Sequence, residues 1–255
     1  MKKTFIAAAL VAAFGAAQAY DSQGGTTDAG IIKTGGATVS FHGPIGAPGI
    51  ALDGTNYISL QSIDAFSYKD SATTSGGVAF RRYQLLGYTH AGPGGTISTD
   101  LNWFKVPTIS QNVYFGLATN PGTPNQHAAF YVGDRTGYAL PTATTNYAAA
   151  GLLALPATTG SAPVILTGTL QYNTAAGTLN TTGSGLTGGG NTLALATSVN
   201  AGAGTFAGTA LLNSTVSGTA DGKFFGSGAT SAVAGTAKGG SGSSAFVAGF
   251  GGIKN

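Results

Sequence analysis

The sequence predicts an all-β protein, a small β-rich amino-terminal domain followed by an eight-stranded antiparallel β-barrel. Glycine is frequent, 43 of 255 residues, and with Asn and Ser it separates short apolar runs. Within several runs apolar and polar side chains alternate with the period of two that a half-buried strand requires. No helical stripe of apolar residues stands out after the first nineteen positions.

Residues 1–19 read as a cleaved secretory signal. Lys2 and Lys3 supply the charged start, an apolar stretch follows, and Ala17-Gln18-Ala19 is the small-x-small cleavage site. The stretch is too short for a membrane anchor, and no later segment sustains the 18 or so apolar residues of a spanning helix. A secreted, extracellular protein without membrane insertion is expected. Its mature chain begins near Tyr20.

Composition narrows the function classes. Loss of Lys2 and Lys3 leaves nine basic residues against eight aspartates, no surface for nucleic acid or anionic lipid. Cysteine is absent, so neither a disulfide nor a lipid anchor is available and a packed core must supply the stability. Charged residues make up 7% of the chain and Glu is absent, leaving Ser, Thr, Asn, Gln and Gly to cover the surface.

The mature chain divides near residues 141–147, giving a ligand-binding domain over 20–145 and a barrel over 146–255. The first part holds all three histidines, the single tryptophan and all three arginines. Its expected strands are 37–41, 57–63, 84–89, 96–104, 113–118 and 128–133, the last two forming a hairpin across 120–126. The second part breaks into eight runs, 147–155, 164–172, 177–182, 192–199, 205–212, 215–225, 231–238 and 245–253. Val164, Leu166, Leu170 and Tyr172 share one face, Thr167, Thr169 and Gln171 the other, so one face is buried and one wet. Eight such runs close a small barrel and remove exposed edges, with Gly208, Gly218 and Gly226 easing the bends. An unstructured Gly/Ser tail would not repeat its apolar positions so regularly.

An enzyme is not expected. Without Cys or Glu, and with isolated aspartates, no local motif assembles a carboxylate pair or thiol nucleophile, and no G-x-S-x-G elbow is present. Gly183, Gly185 and Gly188 spell G-x-G-x-x-G, yet no helix follows, so the segment reads as a loop and not a dinucleotide site.

The histidines carry the chemistry. His42 ends a strand and opens Gly43-Pro44-Ile45-Gly46-Ala47-Pro48-Gly49; His90 stands likewise before Ala91-Gly92-Pro93-Gly94-Gly95. Each imidazole is thus offered from a loop tip beside residues that let backbone approach a flat ligand. His127 starts a strand and is a third candidate. A single loop histidine is commonly no more than a hydrogen-bonded surface group; the matched pair suggests haem. Haem needs imidazole for iron, an apolar slot for the porphyrin and cations at the propionates. His42 and His90 would be axial ligands, Phe41, Tyr83, Tyr88 and Trp103 the pocket, and Arg81 or Arg82 the propionate partners. A zinc site is a rival use of the histidines, but short-range ligand pairs are missing.

Val113-Tyr114-Phe115-Gly116, then Phe130-Tyr131-Val132-Gly133-Asp134-Arg135-Thr136-Gly137, Pro141, Thr142 and Tyr147, resemble the hemophilin family of secreted haem-binding proteins. Gly218-Thr219-Ala220, Phe224-Phe225-Gly226, Ala234-Gly235-Thr236 and Phe246-Val247-Ala248-Gly249 resemble the barrel shared with transferrin-binding-protein-like surface proteins. The resemblance covers the chain from about residue 110 onward. It implies a haemophore of a Gram-negative bacterium, exported by a Slam-type outer-membrane translocator, that passes haem to a TonB-dependent haem receptor for iron acquisition. The haem-ligating histidine of the family has no aligned counterpart here, so His42 and His90 rest on the local pattern. The alternatives are a fimbrial or surface-adhesive subunit, suggested by the Gly/Thr-rich low-charge strands, and a host-colonisation factor on the same barrel.

Overall fold

The computed structural model describes residues 20–40, 43–64, 67–92, 95–120, 123, 126–159 and 162–255. At 68–71, 90–92 and 95–97 only the backbone is described. The expected signal peptide, Phe41 and His42 lie outside the described residues. The amino-terminal half contributes β1 (Ser22–Thr26), β2 (Lys33–Gly36), β3 (Pro48–Ala51), β4 (Ile58–Ser59), the one-turn helix α1 (Leu60–Ile63), β5 (Tyr68–Ser75), β6 (Val78–Gly92), β7 (Gly95–Lys105), β8 (Tyr114–Thr119) and β9 (His127–Asp134). The other half contributes β10 (Thr145–Ala154), β11 (Val164–Asn173), β12 (Thr178–Thr181), β13 (Leu186–Gly188), β14 (Asn191–Asn200), β15 (Thr205–Leu212), β16 (Val216–Phe225), β17 (Ala232–Gly239) and β18 (Phe246–Lys254).

Strands β10 to β18 close an antiparallel barrel of eight staves. β10 pairs with β18 on one side and β11 on the other, while β12 and β13 share one position between β11 and β14. Gly183 and Gly185 lie in the bend joining β12 to β13, with no helix after them. The interior is filled by side chains. Phe224 sits at its centre, 5.2 Å from the Tyr172 ring, 5.9 Å from Phe206 and 6.3 Å from Tyr147, each edge to face. Leu166, Leu170, Leu193 and Leu195 complete the packing, as the alternation predicts. Closure leaves this half no groove for a neighbour's strand. Among the described residues no helix is long and apolar enough to cross a membrane.

The other half forms a six-stranded sheet, ordered β1-β9-β8-β7-β6-β5, and a small sheet of β2, β3 and β4. One face of the larger sheet lies on the barrel; the other is covered by the small sheet and α1, where Ile32, Ile50, Leu60 and Ile63 meet Leu101, Trp103, Phe130 and Val132. Two expectations change here. Residues 37–39 form no strand, because the Ala37 and Thr38 amides bond out of register to the Ala47 and Tyr57 carbonyls. Segment 57–63 is a two-residue strand followed by α1, whose Leu60 and Ile63 bury one side of a single turn too short to leave a stripe.

The expectation of one wet face per barrel strand also fails where the sheet docks. Residues 147–154 of β10 are buried on both faces: Tyr147, Ala149 and Leu153 point inward, while Ala148, Ala150, Leu152 and Ala154 meet Phe80, Phe104, Phe115 and Leu117 of the sheet. Small side chains bring the two layers close. A Cβ on Gly249 would stand 2.5 Å from the Gly116 carbonyl oxygen and 2.9 Å from its amide nitrogen, so β18 crosses β8 backbone to backbone. Gly249→Val is therefore expected to cost about 1–3 kcal/mol or more by overpacking this seam. A urea midpoint equal to that of the parent protein would contradict the packing described.

Candidate functional site

Strand β6 carries most of the residues singled out by the sequence, and its alternation sorts them. Phe80, Arg82 and Gln84 are buried toward the barrel, and Gln84 Nε2 donates to Asn102 Oδ1 at 2.8 Å. Arg81 and Tyr83 project to the other side, with Arg81 exposed and Tyr83 half-buried. Arg81 and Arg82 thus lie on opposite faces and cannot flank one ligand. Trp103, expected in an open slot, is fully buried in the outer core. Its Nε1 donates to Asp64 Oδ1 at 2.9 Å, and the Tyr114 hydroxyl donates to Oδ2 at 3.5 Å. α1 places Asp64 there, since the Asp64 amide closes the helix onto the Leu60 carbonyl. Tyr83 stacks on the indole, ring centroids 5.7 Å apart and planes 11° from parallel. Desolvation and then the Asp64 charge push the Tyr83 phenol up, Arg81 acting against them, so it stays protonated at neutral pH.

Beside Tyr83 the surface opens into a cleft of about 440 Å³, lined by Arg81, Tyr83, Lys105 and the turn from Val106 to Ser110. Nothing in the local sequence marks it, because β6 and the turn after β7 meet only through sheet pairing.

At the opposite end of the sheet, β6 and β7 stay paired with one another beyond the ends of their pairing with β5 and β8. β7 pairs with β8 from Lys105 to Asp100 and no further, whereas β6 and β7 remain paired to Gly92 and Gly95. A bulge after Leu85 starts the extension. Gly87, at φ +65°, donates its amide to Asp100 Oδ1 at 2.6 Å. Tyr88 faces Thr99 and His90 faces Ile97, so His90 lies inside a strand and not on a loop tip. Along β6, nine residues separate His90 from Arg81, roughly 30 Å of strand. That exceeds the reach from a porphyrin's iron to its propionates, so Arg81 and His90 do not serve one haem. On the chain just after His42, Gly43 packs against Ser59 and Ser62 of the α1 turn.

His127 opens β9 in a different setting. Its Nδ1 lies 3.0 Å from the Thr119 hydroxyl, and its Nε2 is sealed from solvent without a hydrogen-bond partner. The cavity beside it, about 60 Å³ between Leu155, Pro156, Phe246 and Val247, is far below the roughly 300 Å³ at which ligand pockets begin. His127 is a seam residue in this structure. Burial lowers its pKa from the ordinary 6.5, the nearby Leu155 backbone acting the other way. The unfolded chain then accepts a proton below pH 6.5 that the folded protein resists, so this contribution is full above that pH and is lost on acidification. His127→Gln is expected to flatten the fall in urea midpoint between about pH 7 and pH 5. An acid slope identical to the parent's would remove His127 from the account. Among the described residues no three metal-ligating side chains cluster.

No protein-family model matches the chain. Among solved structures it is similar to a double mutant of the vaccine antigen transferrin-binding protein B from Haemophilus parasuis Hp5, at 15% identity and a TM-score of 0.47. The match covers 88% of this chain and 45% of that one, so the chain spans under half the length of that protein.

Proposed function

We propose that this chain is an exported, non-enzymatic binding protein that captures haem outside the cell through His90 on the β6–β7 hairpin and His42. One observation carries the reading. The large apolar side chains left exposed among the described residues are Ile45, at 64%, and Leu86, at 47%. Ile45 lies three residues after His42, and Leu86 four before His90, so each candidate imidazole is accompanied by apolar surface of the kind a porphyrin face covers. The barrel has its interior filled and serves as the brace, holding the sheet from which the hairpin extends. In this reading haem is cargo, taken up by the hairpin and loop and released to a TonB-dependent receptor, after export by a Slam-type translocator.

An absorbance titration of the purified mature protein with hemin tests it. A saturable Soret shift at one equivalent is expected, and a blank spectrum would end the haem assignment. Ile45→Ser and Leu86→Ser are each expected to weaken hemin binding about tenfold or more, since each removes an apolar contact of roughly 1.5–3 kcal/mol.

A further inference from the structure

The cleft at the far end of β6 stands apart from the haem reading. We infer that it takes an acidic saccharide, a sugar unit carrying a carboxylate. Its volume, about 440 Å³, lies within the range of small-ligand sites. Arg82 opposes Phe104, which sets Arg81 next to Lys105 across the β6–β7 ladder. Two cations at neighbouring cross-strand positions repel one another, a cost that an anion between them reverses. Neither Arg81 nor Lys105 pairs with a carboxylate among the described residues. Asp64, whose charge acts on the neighbouring Tyr83, has its two oxygens engaged by Trp103 and Tyr114. Lys105 is also held in place, its Nζ 5.6 Å from the centroid of the Tyr114 ring.

The remaining lining points to a sugar and not a bare ion. Tyr83 has one ring face on Trp103 and borders the cleft with the rest, a flat apolar platform for the C–H face of a pyranose. The turn adds the Thr108 and Ser110 hydroxyls, Ser110 Oγ donating to Gln111 Oε1 at 3.1 Å, beside the apolar Pro107 and Ile109. Thr108 is held at φ +59°, a left-handed conformation costly for a β-branched residue, and such strain concentrates at binding sites. A phosphate or sulfate would use the cations and leave the platform and hydroxyls without a role.

The test is a titration of isotope-labelled mature protein with D-glucuronate, followed by amide shifts, with D-glucose and inorganic phosphate as comparisons. Saturable shifts centred on residues 81–83 and 105–110 with glucuronate, and far weaker ones with the other two, are expected. In the Arg81→Ala/Lys105→Ala variant the affinity should fall about tenfold or more while the hemin titration is unchanged. Both side chains lie at the surface, and an unaltered amide spectrum elsewhere verifies the fold. Glucose binding as tightly as glucuronate would overturn the role of the cations. Phosphate binding as tightly would reduce the cleft to an anion site and overturn the saccharide class. Absence of any shift would overturn the site itself. Loss of hemin binding in the double variant would overturn its independence.

Discussion

Arg135→Ala is expected to lower stability by about 3–5 kcal/mol, the cost of taking a charged donor away from several buried hydrogen-bond acceptors. Arg135 is 6% exposed and lies just past the end of β9, where the sheet meets the barrel. Its Nε donates to the Phe224 carbonyl at 3.0 Å, Nη2 to the carbonyls of Ala203 at 2.8 Å and Gly204 at 3.3 Å, and Nη1 to Gln23 Oε1 at 3.2 Å. The Tyr138 ring lies 3.7 Å from its guanidinium carbon. One side chain thus joins β1 to two barrel segments distant in sequence. Removing it leaves three carbonyls without this donor and opens a cavity at the seam. For a protein of this size the loss corresponds to a fall in Tm of roughly 10 °C. Arg135→Lys keeps the charge but not the planar fork, so it should recover only part of the stability. Chemical denaturation measures both. A loss below about 1 kcal/mol for the alanine variant would mean that the network is dispensable.

The barrel was legible because its information is local. Several of its eight runs alternate in and out, most end at Gly, Asn or Ser, and every strand expected there lies within two residues of an observed one. Only β13, three residues beyond a glycine bend, escaped. In the amino-terminal half β1 and β2, Ser-Gln-Gly-Gly-Thr and Lys-Thr-Gly-Gly, hold no large apolar residue. They are strands because β1 pairs with β9 more than a hundred residues away and β2 with β3. No local pattern encodes such partners.

The candidate site divides the same way. That Arg81 and Arg82 face apart follows from strand periodicity alone and could have been anticipated. That Trp103 is core and not slot depends on α1 folding over it to deliver Asp64. Lys105 and Thr108 went unnoticed because the cleft exists only once β7 lies beside β6. Arg135 was visible within Gly133-Asp134-Arg135-Thr136-Gly137, but its acceptors at Ala203, Gly204 and Phe224 are set by barrel closure.

Replacing His42 and His90 together with Ala is expected to abolish the Soret shift of added hemin, the largest functional effect of any substitution considered. Iron–imidazole ligation sets that shift, and apolar contact alone leaves hemin close to its free spectrum. The strand register assigns the histidines unequal parts. β9 lies three strands from β6, and His127 pairs with Thr119 opposite Asp100, three residues short of Ile97 and its partner His90. His90 and His127 are therefore too far apart within the sheet to share one iron, and His127→Ala should leave the titration unchanged. With both His42 and His90 ligating, each single alanine variant converts a six-coordinate spectrum into a five-coordinate one, and only the double variant is silent. With His90 ligating alone, His42→Ala is silent and His90→Ala equals the double variant. A double variant that titrates like the parent protein would refute ligation at the hairpin, whatever the fate of the cleft beside Arg81.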